Sequence, residues 1–166
     1  AEEKMYLAKT LERQEVRSGA IDSILEALYA ASPREKEHSV RVSELCWYMG
    51  KALKLSDTEV KKLSDAGYLH DIGKIVLEPS LLKKNIRKTD KEWERIKKHP
   101  IIGYRILNTF DHTLDLSEIV LAHQERWDGS GYPKGLKGKE IPRLSRIIAI
   151  AESYERRLSG DNSTPP

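Results

Sequence analysis

The stretch Gly67-Tyr-Leu-His-Asp-Ile-Gly-Lys74 constrains the rest of this chain more than any other part of it. It places His70 beside Asp71 after a segment with the apolar spacing of a helix. Together they offer a transition metal one nitrogen and one oxygen ligand at a single point of the backbone. Gly73 permits a sharp turn at the helix end, and Lys74 brings a positive charge close to the pair. An isolated His-Asp pair is more often a surface or capping pair, but these neighbours favour a metal site.

Composition narrows the class of protein before any further motif is considered. The 166 residues suffice for one domain with its own core, and 33% charged residues are typical of a soluble protein. The single cysteine, Cys46, excludes an internal disulfide and fits a reducing cytoplasm. No signal peptide or membrane-length apolar run is visible. A net charge of +3 with scattered aromatics does not predict nucleic-acid binding, but it is compatible with a small anionic substrate.

Apolar residues recur with helical spacing through most of the chain, and no strand pattern extends beyond residues 75–77. The sequence therefore predicts an all-α fold. Capping and proline signals divide it into helices over about 1–31, 34–53, 57–71, 89–99, 101–108, 116–127 and 143–158.

The same signals predict the domain organisation. Residues 1–31 form an N-terminal connector or docking helix, residues 32–159 the main domain, and residues 160–166 a disordered tail. Glycine and proline are concentrated in residues 128–142, which predicts a long loop between the last two helices. A loop of that length within a compact helical domain is often functional.

Four of the five histidines lie at inward-facing or helix-terminal positions, and His112 is assigned to the surface. A lone histidine on an apolar face is usually a satisfied core residue, but four in one small domain favour a metal site. Two acidic residues are available beside them. The candidate ligands are His38, His70, Asp71, His99, His123 and Glu152.

Several stretches, in the same order and spacing, resemble the HD-GYP branch of the HD-domain metal-dependent phosphohydrolases. They are His38-Ser-Val-Arg-Val42, His70-Asp-Ile-Gly-Lys74, Lys98-His99-Pro100, His123 with Glu125-Arg-Trp-Asp-Gly-Ser-Gly-Tyr-Pro133, and Arg146-Ile-Ile-Ala-Ile-Ala151. The resemblance covers residues 35–158. It implies a helical bundle, with the Gly-Tyr-Pro loop between its last two helices, around two or sometimes three ions, usually iron or manganese. The implied reaction is hydrolysis of the bacterial signal cyclic di-GMP to linear pGpG or GMP.

The resemblance also implies roles for individual residues. Asp71 bridges two metals; His38, His70 and Glu152 complete one of them, whereas His99, His123 and the residue at 124 complete the other. A metal-activated hydroxide attacks phosphorus. Lys74 neutralises charge on the phosphoryl oxygens, and Tyr132 either stacks on guanine or anchors the loop by packing.

Two departures from the family pattern affect the expected ligands directly. The family usually has two consecutive histidines where this chain has His123-Gln124, and an amide oxygen is a weaker ligand than an imidazole. Glu152 replaces an aspartate, which keeps the charge but moves the carboxylate by one methylene. The second metal is therefore expected to bind weakly or not at all.

Two further departures lie around the substrate. Arg34 stands where members with a third metal carry an acidic residue, and the neighbouring Glu35 is expected to point in an unsuitable direction. The family's basic, proline-containing segment after the last ligand is replaced by Ser159-Gly-Asp-Asn-Ser-Thr164. We therefore expect no third metal, and the arginine and lysine that hold substrate phosphates in the family are missing.

Three functions remain open on this basis. The first is an active phosphodiesterase that hydrolyses cyclic di-GMP or another phosphate ester. The second is a degenerate domain that binds a ligand, one metal or a protein partner such as a diguanylate cyclase or an upstream sensor, without turnover. The third is a nucleotide hydrolase with one metal, for which His38, His70, Asp71 and Glu152 would suffice.

Overall fold

The computed structural model describes residues 19–83 and 86–160, and this part of the chain consists of helices and loops. Its α-helices, in chain order, are α1 Gly19–Ala31, α2 Pro33–Ala52, α3 Asp57–Leu69, α4 Asp90–Ile96, α5 His99–Leu107, α6 Leu114–Leu121 and α7 Arg143–Leu158. Short 3-10 helices lie at Ile72–Val76, Pro79–Leu82, Asp111–Thr113 and Gly138–Glu140. No strand occurs in the described ranges, so the all-α prediction is confirmed.

Local capping fixes where α3 begins. Glu59 donates its backbone N–H to Ser56 Oγ at 3.2 Å, while Glu59 Oε2 accepts the backbone N–H of Ser56 at 3.1 Å. This reciprocal pair satisfies two N–H groups that a helix start leaves unpaired. The helix then runs for 13 residues and ends at Leu69, which places His70 and Asp71 at its carboxyl end.

The main core forms where α2 packs against α3 and α7. Val42 and Cys46 of α2 and Leu63 of α3 are fully buried in it. Gly67 allows the two helices to approach closely, because a Cβ atom there would lie 2.9 Å from Cys46 Sγ. The close crossing of α2 and α3 brings the side chain of His38 to the end of α3.

A second close approach joins the 3-10 helix Ile72–Val76 to the start of α5. A Cβ atom on Gly73 would lie 2.0 Å from the carbonyl oxygen of His99 and 2.6 Å from the backbone nitrogen of Gly103. Only glycine fits at this contact without displacing backbone atoms. The contact therefore places His99 next to Asp71.

A smaller apolar cluster lies beside the main core and is built from α1, α4 and the segment between α3 and α4. Its buried members are Leu28, Leu77, Leu81, Leu82 and Ile96, and Trp93 packs against it. The buried positions of α1 are Ile21, Leu25 and Leu28. The remaining residues of the predicted N-terminal helix, 1–18, and of the tail, 161–166, lie outside the described residues.

Two predicted helix boundaries were wrong near the candidate ligands. His99 was expected at the end of a helix over 89–99, but α4 ends at Ile96 and His99 begins α5. Pro100 fits this start because its missing N–H falls in the first helical turn, where no partner exists. The helix predicted over 116–127 ends at Leu121, and His123 follows in a turn.

The outer face of α7 also differs from expectation. Leu158 was predicted to belong to the core, but it is 70% exposed, whereas Ile147, Ile148 and Ala151 are buried as predicted. His112 is exposed, in agreement with its assignment to the surface. Among the described helices, not one combines the length and apolar character needed to cross a membrane.

Candidate metal centre

All six candidate ligands meet at one buried point of the fold. His38 comes from the second turn of α2, His70 and Asp71 from the end of α3, His99 from the start of α5, and His123 from the turn after α6. Glu152 comes from α7. Every one of these side chains is buried. Buried ionisable groups are stable only when they are paired or hold a metal, and a cluster of this composition can do both.

The rings of three histidines are oriented by the same kind of hydrogen bond to the backbone. The Nδ1 atoms of His70, His99 and His123 each lie 2.6 to 2.7 Å from the carbonyl oxygen three residues earlier in the chain. A carbonyl oxygen only accepts, so Nδ1 carries the proton in each ring. When such a ring is neutral its lone pair is on Nε2, which is the atom that points into the cluster.

The ring of His38 is oriented in the same way, but by a carboxylate and not by a backbone carbonyl. Its Nδ1 lies 2.6 Å from Oε2 of Glu155 on α7, and Arg41 Nε donates to the other oxygen of Glu155 at 2.8 Å. Burial opposes ionisation, but the bonds from His38 and Arg41 lower the pKa of Glu155 below its usual value. The ionised carboxylate accepts the Nδ1 proton of His38 and leaves Nε2 directed inward.

The inward-facing nitrogens form two close pairs. His38 Nε2 lies 3.2 Å from His70 Nε2, and His99 Nε2 lies 3.2 Å from His123 Nε2. With Nδ1 protonated in each ring, both members of a pair present lone pairs to each other. Lone pairs at this distance repel unless a proton or a metal ion lies between them. The geometry therefore provides two places for a cation.

Asp71 lies between the two pairs and faces both. Its Oδ2 is 3.1 Å from His70 Nε2 and 3.5 Å from His38 Nε2, while Oδ1 is 3.3 Å from His99 Nε2. Neither oxygen accepts a hydrogen bond of regular geometry, although Lys74 Nζ lies 2.7 Å from Oδ2. A buried carboxylate without regular hydrogen bonds is the group that a shared metal ligand requires.

The pKa values of Asp71 and His123 are shifted in the directions that favour metal binding. Burial opposes the charge of Asp71, but His70 and Lys74 hold the pKa of that carboxyl well below its usual range. Burial, with the neighbouring His70 and His99, lowers the pKa of His123 to about 3. His123 is therefore neutral and Asp71 is ionised near neutral pH, which are the states that bind metals.

The donor atoms fall into two groups, each compact enough to surround one ion. The first donor group consists of His38, His70, Asp71 and Glu152, and the second donor group consists of Asp71, His99 and His123. Within each group the donor atoms all lie within 4.8 Å of one another. Imidazole nitrogens mixed with carboxylate oxygens suit a divalent metal ion. The residues present therefore fit a metal centre of one or two ions.

Gln124 does not face the cluster as a ligand would. Its amide nitrogen donates to both oxygens of Glu152, at 3.2 and 3.1 Å, and Arg156 donates to Oε1 of the same carboxylate. Burial opposes the charge of Glu152, but Arg156 and His70 lower the pKa of that carboxyl to about 2. Because Gln124 is bound to Glu152, the second donor group consists of Asp71, His99 and His123 without it.

Glu35 points into the site, contrary to expectation. Its buried carboxylate accepts a hydrogen bond from Lys74 Nζ at 3.0 Å, and Lys74 also contacts Asp71. Glu35 precedes His38 by three residues, which is also a same-face spacing on a helix, so the two side chains lie on the same side of α2. Burial opposes the charge of Lys74, but Asp71 and Glu35 raise its pKa, so the ammonium is charged at the edge of the cluster.

The glycine-rich loop brings Tyr132 to the mouth of the site. The ring of Tyr132 lies 6.5 Å from that of His99, and burial raises the pKa of its hydroxyl. Glu125 holds the loop, because its buried carboxylate accepts the backbone N–H groups of Lys134 and Leu136 at 2.7 and 2.9 Å. A Cβ atom on Gly131 would lie 2.4 Å from the backbone nitrogen of Arg126, so the loop folds back tightly on its own start.

A cleft leads from solvent to the cluster. It is narrow, because the space in it that water molecules can occupy amounts to about 90 Å³. His38, Lys74 and His99 line it next to the cluster, and Tyr132 lines its mouth. The smaller apolar cluster beside the main core lines another side of the cleft, through Leu77, Leu81, Leu82, Trp93 and Ile96.

Four acidic or basic residues of this site were not predicted in these positions: Glu35, Glu125, Glu155 and Arg156. A signal for two of them exists in the sequence. Glu155 and Arg156 follow Glu152 by three and four residues, so they share its helix face. Glu125 had no periodic signal, since its role depends on how the loop folds back.

Comparisons with known proteins agree with this fold and site. The family described as HD domain matches residues 23–164. The chain is 42% identical over 124 residues to a "Cyclic di-GMP phosphodiesterase" of Thermotoga maritima, and this match covers 74% of this chain and 34% of that protein. It is 33% identical to the "3'3'-cGAMP-specific phosphodiesterase 2" of Vibrio cholerae, over 86% of this chain and 28% of that protein.

A solved structure shows the same fold. It is that of "Bd1817, a HDG"Y"P protein from Bdellovibrio bacteriovorus", with a TM-score of 0.67 and 23% sequence identity, covering 98% of this chain and 55% of that one. The chain spans about a third of the length of the curated relatives it matches. The resemblance to the HD-GYP branch is confirmed, and the chain belongs to the HD-domain family.

Proposed function

We propose that this chain is a metal-dependent phosphodiesterase that hydrolyses cyclic di-GMP in bacterial signalling. The observation that carries the proposal is the arrangement around Asp71, where four buried histidines direct Nε2 atoms at one carboxylate. The named substrates of the relatives, cyclic di-GMP and 3'3'-cGAMP, support a cyclic dinucleotide as the substrate class.

Two ions are proposed, with iron or manganese as their identity. His38, His70, Asp71 and Glu152 would hold one ion, and Asp71, His99 and His123 the other. Ions held there supply a nucleophile from water at neutral pH and polarise a phosphoryl oxygen. The Nδ1 bonds of the four histidines hold their rings in place, so that no ring has to reorient during the reaction.

Lys74 is the proposed electrostatic residue. Its ammonium lies 2.7 Å from Asp71 Oδ2 and lines the cleft, so a phosphoryl group at the metals would meet a fixed positive charge. A pre-positioned charge stabilises the negative charge that develops on phosphoryl oxygens in the transition state. Glu35 holds the ammonium in place from the other side.

Tyr132 is proposed to contact the substrate at the cleft mouth. Its ring lines the cleft and lies near His99, where it can stack on a guanine base. Packing of the loop alone would give the ring the same position. A Tyr132→Leu variant separates the two roles, since a stacking role predicts a higher KM for cyclic di-GMP with unchanged loop order.

A second candidate function rests on Gln124. Its amide faces Glu152 instead of the second donor group, and that group then has three protein ligands. A degenerate domain that binds a ligand, a metal or a protein partner without turnover is therefore the alternative. An active enzyme remains the stronger candidate, because three ligands with an open position are the usual arrangement of a catalytic metal.

The first test is metal content per chain, measured by elemental analysis of protein purified without chelator. Two ions per chain followed by cyclic di-GMP hydrolysis would support the proposal, and one ion with turnover of other nucleotides would favour a single-metal hydrolase. No ion after anaerobic reconstitution with iron or manganese would make the chain a binding domain.

The setting of the activity is also proposed. We expect residues 32–159 to act as the catalytic domain and residues 1–31 to connect it to, or dock it on, an upstream sensor or receiver domain. The proposed location is the cytoplasm, because the resemblance implies intracellular signalling and the only cysteine, Cys46, is unpaired. A diguanylate cyclase is the proposed protein partner, to be tested by co-purification.

A further inference from the structure

Two arginines from different helices line the cleft beside the metal centre. Arg34 lies in the first turn of α2, and Arg156 lies in the last turn of α7. Their side chains enter one cleft because α2 and α7 pack against each other and are joined by the bond between His38 and Glu155. Neither arginine belongs to the donor groups that would hold metal.

Arg156 lies at the inner part of this cleft. It donates to Glu152, and its side chain is still 32% exposed. Its positive charge reaches Lys74 and Tyr132, where it opposes the rise in the pKa of both groups. A guanidinium has five N–H donors in a planar fork, so one side chain can hold Glu152 and a phosphate oxygen together.

The cleft contains more positive charge than one reacting phosphoryl group requires. Lys74 and the metals face the deep end, and Arg34, Arg126 and Arg156 add three permanent charges around it. An anion other than the reacting phosphoryl group fits this surplus.

We propose that Arg34 and Arg156 form an anion subsite that binds the non-reacting phosphate of a substrate with two phosphate groups. The inference rests on the proposed function, since a cyclic dinucleotide carries a second phosphodiester beside the one that is cleaved. It also changes the expectation that the phosphate-binding residues are missing: the basic segment after α7 is absent, and arginines on α2 and α7 take its place.

The test compares two substrates on the metal-reconstituted protein. Cyclic di-GMP has two phosphates, whereas bis(p-nitrophenyl) phosphate has one. In Arg34→Gln and Arg156→Gln, KM for cyclic di-GMP should rise about tenfold more than KM for the single-phosphate ester, as expected for one lost charge-assisted bond. Arg156→Lys should recover part of this loss because it keeps the charge but not the fork.

Arg157→Gln is the matched control, since Arg157 is the neighbour of Arg156 but lines a groove on the outer side of α7 with Ile150 and Tyr154. It should leave KM for both substrates unchanged. Metal content is measured for every variant. An equal loss on both substrates, or a parallel loss of metal in Arg156→Gln, would show that Arg156 acts through Glu152 and would overturn the subsite.

Failure of the proposed function has a different signature. If the wild-type protein hydrolyses neither substrate, the subsite is tested by equilibrium binding of cyclic di-GMP and of inorganic phosphate. Binding of cyclic di-GMP that weakens about tenfold in Arg34→Gln, with unchanged metal content, would support the subsite in a domain without turnover. Absent binding by the wild type, or equal binding by the variant, would refute it.

Discussion

The imidazole of His38 is bound through Nδ1 to the carboxylate of Glu155, at 2.6 Å, across the contact between α2 and α7. The other three histidines of the centre use backbone carbonyl oxygens for the same purpose. A carboxylate on the far nitrogen fixes the tautomer and makes the inward nitrogen a stronger ligand. The geometry of the first donor group therefore depends on a residue that does not touch the metal position.

Glu155→Gln should lower the affinity of the first donor group for metal by about 10- to 100-fold, the usual effect of removing such a partner. The neutral amide no longer provides a charged acceptor for the Nδ1 proton, so the ring of His38 is held less firmly. Titration with iron or manganese against a competing chelator measures the effect. The second group, which lacks His38, should keep its affinity.

Glu37→Gln is the control for this variant. Glu37 is exposed and lies 3.7 Å from Arg41, the arginine that also contacts Glu155. Its removal changes the charge around Arg41 without touching His38. We expect no change in metal affinity; an equal fall in both variants would mean that Arg41, and not the bond to His38, controls the site.

Asp71→Asn should abolish tight binding of metal in both groups. The substitution keeps the shape of the side chain but removes the charge, and an amide offers one oxygen where the carboxylate offers two. Elemental analysis after reconstitution should find metal only at background level, as for the double variant His70→Ala with Asp71→Ala. Asp57→Asn, which removes an exposed carboxylate paired with Lys51, should retain full metal content. Unchanged content in Asp71→Asn would refute the site.

The residue types of this centre were predictable, because each motif in the sequence carries its own ligand. His70 and Asp71 are adjacent, and His38 and His123 precede recognisable stretches. Apolar spacing alone was enough to predict an all-α fold. What the sequence could not provide was the direction of side chains near helix ends, where a change of one residue in the boundary rotates a side chain by about 100°.

Glu35 and Gln124 illustrate this limit. The direction of Glu35 follows from its partner Lys74, which comes from a different element and pairs with it only in the folded chain. Gln124 was considered as a ligand, but Glu152 is long enough to reach its amide and draws it away. Both outcomes depend on tertiary contacts that no local pattern records.

Gln124→His should raise metal occupancy towards two ions per chain. It adds an imidazole where the second donor group has three protein ligands, and it removes the bond from Gln124 to Glu152. Occupancy is measured after anaerobic reconstitution with iron or manganese. Gln124→Ala is the control, because it removes the same bond without adding a ligand. A gain in both variants would assign the effect to the release of Glu152, and no gain would mean that Gln124 does not limit the second ion.

Gly73→Ala tests the contact that joins the two halves of the centre. The new methyl group would lie 2.0 Å from the carbonyl oxygen of His99 and 2.6 Å from the nitrogen of Gly103, both backbone atoms that cannot move alone. We expect α5 to shift, His99 to leave Asp71, and the free energy of unfolding to fall by about 3 kcal/mol, the upper range for overpacking. Urea denaturation and metal content measure the two effects.

Gly19→Ala provides the comparison, because a Cβ atom at Gly19 has no neighbour within 4 Å among the residues that the structure describes. Alanine at the start of α1 should leave stability within about 1 kcal/mol of wild type, with any change towards stabilisation. Both variants replace glycine by alanine, so the difference between them isolates the contact with His99 from the general effect of removing a glycine. A Gly73→Ala protein with wild-type stability and two ions would show that α5 can move without disturbing the centre, and the proposed rigid link between Asp71 and His99 would be wrong.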